Sequence, residues 1–193
     1  MLNAKAKLTS EDKMKGLLDK LKKIASLEVY VGIPEVTGPR EVRTEEIATK
    51  GEAVSNAQLC YIHTHGSPVN NIPARPIIEP AIEAEDNKEA IAKQLGEASK
   101  ALLDQKQTEV RRSLRLAGME GQNRVRAWFI DPRNGWAQNS PLTALRKVEK
   151  LRGKALKEVQ GRLAASESIG DISRPLIDTG QLRRSMTYVV KEE

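Results

Sequence analysis

Between Gly66 and Pro76 the chain places three prolines in eleven residues, Gly-Ser-Pro-Val-Asn-Asn-Ile-Pro-Ala-Arg-Pro. Proline has no amide hydrogen to donate and drives the preceding residue toward extended backbone, so neither a helix nor a central strand runs through this stretch. Residues 66–80 therefore read as an extended connector. Regular structure must lie on either side of it.

Ahead of the connector, Met14, Leu17, Leu18, Leu21 and Ile24 recur at three- and four-residue steps with lysines opposite. That spacing predicts an amphipathic helix, capped by Thr9 or Ser10 and ending at Ala25. Leu27, Val29, Val31 and Ile33 then alternate with Glu28, Tyr30 and Gly32, the period of a half-buried strand, and Pro34 stops it. Glu35 to Arg40 reads as a loop, and Thr44 to about Ile62 as a second helix.

Beyond Pro80, Ala81 to about Ala117 predicts one helix of about 50 Å at 1.5 Å per residue. Gly118 and Gly121 break it, and residues 123–130 resume it. Asp131 to Trp136 is turn-rich. Ser140-Pro141 opens a further helix carrying Leu142, Leu145, Val148 and Leu151 as far as Leu156. Residues 161–173, small and polar, read as a mobile loop. Met186, Tyr188 and Val190 alternate with Thr187, Val189 and Lys191 in a closing strand. Two short strands so far apart are unstable singly and should pair with each other. The expected fold is α+β: a single domain over residues 1–193, with a small antiparallel sheet packed with helices, one long helix and the proline-rich connector.

Aromatic residues make up only 3% of the chain, with Phe129 the single phenylalanine, so the core rests on Leu, Ile, Val and Ala and an aromatic-lined pocket is hard to build. Trp128, Phe129 and Trp136 then either anchor a neighbouring molecule or fill the chain's own core. No apolar run reaches the ~18 residues of a membrane span. The opening MLNAKAKLTSEDKMKG is charged, without a signal-peptide core, which predicts cytosolic synthesis. The net charge of +6 is concentrated: residues 111–163 hold thirteen Arg and Lys against four Asp and Glu. Such a segment suits an acidic protein neighbour or, alternatively, DNA phosphates, although it lacks the interleaved aromatics of a single-strand binder and any helix-turn-helix pattern.

Two constellations have chemical potential. Asp178-Thr179-Gly180 after Leu176-Ile177 has the triplet of an aspartic peptidase, but a dyad needs a second carboxylate; the alternative is a turn in which Asp178 or Thr179 caps a short helix from Gly180 to Arg184. Cys60, His63 and His65 have metal-binding side chains without a fourth ligand at suitable spacing. A histidine at a helix end that bonds a carbonyl is the plainer reading. No cofactor, metal or catalytic residue is expected.

Two stretches go beyond composition. Asn56-Ala57 through His65-Gly66-Ser67-Pro68, followed by Ile72-Pro73-Ala74-Arg75-Pro76-Ile77-Ile78-Glu79-Pro80-Ala81-Ile82, resembles a signature of tailed-phage virion-morphogenesis and tail-completion proteins. Arg174-Pro175-Leu176-Ile177-Asp178-Thr179-Gly180-Gln181-Leu182-Arg183-Arg184-Ser185-Met186-Thr187-Tyr188 is similar to the ending of the same group. Both occur in the family's order, behind the Val29–Pro34 strand. Thr64-His65 stands where Glu-Phe is usual, Ile77 where phenylalanine is, and Arg184 where asparagine is common.

The resemblance implies a structural, non-enzymatic subunit, made in the host cytoplasm and placed in the virion neck or tail. There it forms a ring of itself, a hexamer favoured over a dodecamer, between the portal or connector and the tail-terminator or tail-tube proteins. Genomic DNA would pass through it without sequence-specific binding, and no membrane is involved. Ile72, Pro73, Ala74, Arg75, Pro76, Trp128, Phe129, Trp136, Asp178, Thr179, Gly180 and Leu182 are the interface candidates, with Arg75 expected to fork onto a neighbour's carboxylate.

Overall fold

The computed structural model describes residues 14–24, 26–34, 54–151, 153–165 and 173–192. In chain order they form helix α1 (residues 14–24), strand β1 (Leu27–Gly32), α2 (Asn56–His65), α3 (Ile78–Glu83), α4 (Glu85–Leu103), α5 (Gln107–Trp128), α6 (Pro141–Glu149), α7 (Gly153–Ala164), α8 (Gln181–Ser185) and β2 (Thr187–Glu192). The fold is α+β, helices with a two-stranded antiparallel sheet. The described residues divide into two compact units, one within Met1–Gly32, Ile82–Arg124 and Thr187–Glu193, the other within Ile33–Ala81 and Val125–Met186.

In the first unit β1 pairs with β2 as the alternation predicts, with Val29 opposite Val190 and Val31 opposite Tyr188. One face of the ribbon meets helices: Leu27, Val29 and Val190 pack with Ile24 against Ala98, Ala101, Leu102, Val110 and Leu114 of α4 and α5. The other face shows Tyr30 and Val189, about half exposed, to solvent. A lone hairpin-sized ribbon is marginal in water, so this packing is what makes the sheet stable.

Gly118 and Gly121 do not break α5; the helix passes through both to Trp128. They are there for contact. A Cβ on Gly118 would lie 2.2 Å from Tyr188 Cδ2, and one on Gly121 2.8 Å from Val31 Cγ2. Three residues apart on one helix face, the glycines receive the cross-strand pair Val31 and Tyr188 directly on the helix backbone.

The long helix expected from residue 81 to 117 is instead three. α3 begins at Ile78, before Pro80, which occupies a first-turn position where an amide is not needed. α4 ends because Gln105 adopts the left-handed conformation at φ 62°. Its N–H bonds Leu102 O at 3.0 Å and the Lys106 N–H bonds Ala101 O at 2.9 Å, the paired closure of a Schellman cap built without glycine. Lys20 Nζ of α1 adds a bond to Leu103 O at 2.9 Å.

In the second unit Ile77, Val125, Phe129, Val159 and Met186 are fully buried. α2 starts at Asn56, capped by Ser55, whose side chain accepts from the Gln58 N–H while Gln58 Oε1 accepts from the Ser55 N–H. This capping box corrects the helix expected through residues 44–62: it begins later and reaches His65, and residues 44–53 lie outside the described residues, as does the 35–40 loop. Ser140 caps α6 as expected. The helix stops at Lys150 and a separate α7 starts at Gly153, where φ is +60°, so a single helix to Leu156 is not formed. Gly161, placed in a mobile loop by its composition, lies inside α7; residues 166–172 of that loop are outside the described set.

The glycines of this chain make opposite predictions according to what surrounds them. Gly118→Ala should destabilise the protein by about 1–3 kcal/mol through overpacking against Tyr188. Gly96→Ala, whose Cβ meets nothing within 4 Å in α4, should stabilise it by about 0.5–1 kcal/mol. Urea denaturation of both variants reads the difference; equal effects would show that the glycine contact with the sheet carries no weight.

Candidate functional site: a cation-lined groove

The proline-rich connector is extended only between its opening turn and Ile77, since residues 78–80 already belong to α3. Ser67 and Ile72 pair across a short turn, Ser67 N–H to Ile72 O at 2.8 Å and Ile72 N–H to Ser67 O at 2.9 Å, around the 3-10 turn Pro68–Asn70 and a left-handed Asn71. Gly66, at φ 76°, makes the entry possible, because a Cβ there would lie 2.8 Å from Ala74 N. The Arg75 N–H then bonds His63 O at 2.7 Å, laying the strap along the end of α2.

From this strap Arg75 turns inward. Only 6% exposed, it donates to Ala137 O from Nε at 3.1 Å and from Nη2 at 2.8 Å, and from Nη2 to Gln138 O at 3.4 Å. Trp136 answers from the opposite segment: its indole N–H donates to Pro76 O at 2.9 Å, and its ring meets Phe129 edge-on at 5.6 Å. The first partners of this guanidinium are therefore carbonyls of its own chain, which the sequence had not indicated. Its fork holds two carbonyls of its own chain, and burial lowers its pKa.

The C-terminal motif is held the same way. Lys147 of α6 donates to Arg174 O at 2.5 Å and Ile177 O at 2.6 Å. Between those carbonyls and α8 the backbone takes two left-handed residues, Leu176 (φ 58°) and Gly180 (φ 72°). Asp178 Oδ2 lies 3.3 Å from Lys150 Nζ in an ion pair, and Thr179 Oγ1 accepts from the Gln181 N–H at 3.3 Å, so Thr179 and not Asp178 supports the start of α8. Burial lowers the Lys147 pKa most, Asp178 pushes it back up, and Lys150 and Arg75 lower it further. Arg126 donates to Met186 O and Arg184 O, and Arg183 returns a bond to Arg126 O at 2.7 Å.

Together these segments enclose a groove of about 720 Å³. Ile72, Pro73, Arg75, Asp178, Thr179, Gly180 and Leu182 all line it, so two stretches about a hundred residues apart meet on one surface. Ala74 and Pro76 are exposed on the strap beside it. Trp128 (5% exposed), Phe129 (1%) and Trp136 (6%) do not line it; they are buried in the unit's own core and are not available as surface anchors.

Sequence reasoning missed Lys147, Gln138 and Asn139. Lys147 is one lysine among many in a basic helix, and nothing in its spacing marks it as half-buried and bonded to carbonyls. Asp178 is the single carboxylate among the lining residues. Cys60 is buried with its thiol pKa raised, His65 Nδ1 lies 2.9 Å from Tyr61 O at the helix end, and among the described residues no group of three His, Cys, Asp or Glu could hold a metal. No described helix is long and apolar enough to cross a membrane. No protein-family model, curated protein or solved structure matches the chain.

The two tryptophans differ in one testable respect. Trp136 Nε1 is bonded to Pro76 O, whereas Trp128 Nε1 is buried without a hydrogen-bond partner among the described residues. Trp136→Phe should therefore cost about 1–3 kcal/mol more than Trp128→Phe, since only the former leaves a carbonyl unsatisfied. Thermal or chemical melting of the pair measures it, and equal losses would remove the strap bond from the account.

Proposed function

We propose that this chain is a structural subunit of a tailed-phage particle, forming a ring at the head-tail junction between portal or connector and tail. The observation that carries the reading is the convergence of the Asn56–Ile82 and Arg174–Tyr188 stretches, the two that resemble the virion family, on one groove fixed by Arg75 and Lys147. Motifs that were only parts of a core would have no reason to share an open surface.

The exposed apolar residues support a subunit completed by neighbours. Met14, Leu17, Leu18 and Leu21 of α1, and Leu142 and Leu145 of α6, are each about half exposed at helical spacing. A ring requires unlike, complementary faces on each subunit. Six copies are favoured over twelve by the family resemblance alone.

A second reading, DNA binding, draws on Arg111, Arg112 and Arg115, exposed on α5 around a groove of about 590 Å³. Phosphate contacts of that kind give retention that falls steeply with salt. The junction reading expects weak retention, because DNA must slide past.

Disrupting the gene in its phage should yield filled capsids and tails that fail to join, with joining restored by the purified chain. Electron microscopy of the purified chain should show closed rings. Normal particle yield without the gene would overturn the proposal.

A further inference from the structure

A buried cation is ordinarily matched by a carboxylate, because a desolvated charge held only by neutral groups is costly. Buried Arg75 departs from this, and half-buried Lys147 stands beside it in the groove. Arg75 bonds two carbonyls, and its Nη1 has no hydrogen-bond partner among the described residues. Lys147 gives two of its three hydrogens to carbonyls and the third to none of the described residues. Burial disfavours the charge on Lys147 most, Asp178 offsets part of this, and Lys150 and Arg75 add to it. Asp178, the only carboxylate in the lining, is engaged by Lys150 and is 40% exposed.

The remaining lining mixes amides and hydroxyls, such as Asn70, Gln138, Asn139 and Thr143, with aliphatic residues such as Leu59 and Ile177. That surface suits a polypeptide side chain and its backbone. No Phe, Tyr or Trp is among the lining residues, and the one ring there is the imidazole of His63, so the broad stacking platform a nucleotide uses is missing.

We infer that the groove receives a carboxylate from a second copy of this chain, supplied by its acidic α3–α4 turn and entering between Arg75 and Lys147. The choice of occupant rests on charge complementarity. Glu83, Glu85 and Glu89 are exposed and have no ion-pair or hydrogen-bond partner among the described residues. The stretch Ile78 to Leu103 holds six Asp and Glu against three Lys, the reverse of the segment that supplies Lys147. Donor turn and receiving groove are different surfaces of the chain, as the unlike faces of a ring contact require. This inference rests on the ring reading.

The test uses the full chain in three forms: wild type, Lys147→Glu, and Glu85→Lys with Glu89→Lys. The last pair lies on exposed helix surface, so it stays folded even if Lys147→Glu, which also loses two carbonyl bonds, does not. By mass photometry each variant alone should associate roughly tenfold or more weakly than wild type. An equimolar mixture should assemble again, because every groove then faces a turn of opposite charge. A synthetic peptide of residues 82–93 should bind wild type and not Lys147→Glu.

Unchanged assembly of the Glu85/Glu89 variant, or no rescue on mixing, overturns the groove contact and leaves the ring standing. Peptide binding by a wild type that never oligomerises overturns the ring and keeps the groove. A DNA duplex that displaces the peptide from the groove overturns the carboxylate assignment.

Discussion

Cationic side chains bonded to backbone carbonyls hold the irregular parts of this protein in place. Helices and the short sheet satisfy their own backbone, but the strap at 66–77, the 136–139 segment and the 173–180 loop have no ladder to join. Arg75 and Lys147 supply missing donors to the last two, and Arg126 and Arg183 do the same between the end of α5 and the residues around α8. A charge-assisted hydrogen bond contributes about 1.5–3 kcal/mol, and the alternative here is a carbonyl left buried and unpaired. Arginine at 75 and 126 places two nitrogens on one oxygen, a geometry a lysine ammonium does not reproduce.

The first unit depends on a different constraint, the closeness of sheet and helix. Removing two side chains from α5 lets Val31 and Tyr188 reach its backbone, and the same two residues are partners across the strands. Helix propensity is sacrificed at Gly118 and Gly121, about 1 kcal/mol each, for contact along a ribbon too small to stand alone. The Schellman closure at Gln105 belongs to the same arrangement, since it ends α4 and lets α5 contribute Val110 and Leu114 to the shared core.

What was legible in the sequence was periodic. The strands and their pairing follow from alternation, and the Ser140 start of α6 from its cap and proline. What was not legible was decided by tertiary contact. Glycine signals a helix break unless a partner needs the space, and Gly118 and Gly121 have such partners while Gly161 sits inside α7 with none. Gln105 hides a helix end because the left-handed residue there is not glycine. At the groove, the motifs contain Arg75 and the Asp178 turn, but the bonds of Arg75 to its own chain's carbonyls were not legible, because they depend on which segment folds over the guanidinium. Lys147 had no signal at all.

The use of cations as carbonyl donors changes what the chain's charge means. The basic segment was an argument for an acidic partner, yet Arg126 and Lys147 within it are turned to the protein's own backbone, Arg124 is paired with Glu120 at 2.6 Å, and Arg133 with Asp131 at 2.7 Å. A sequence charge count treats these as surface. The structure leaves Arg111, Arg112 and Arg115 outward on α5, and it leaves Arg75 and Lys147 inside a groove with spare donors. These are two electrostatic features of different kind. Exposed arginines on a helix attract phosphate and release counterions, a long-range effect that salt removes. Desolvated cations in a groove act only on a group that enters, are screened little by salt, and discriminate by shape. In the role we propose, a subunit that lets DNA slide while holding its neighbours has use for the second kind where subunits meet, and only for a weak version of the first.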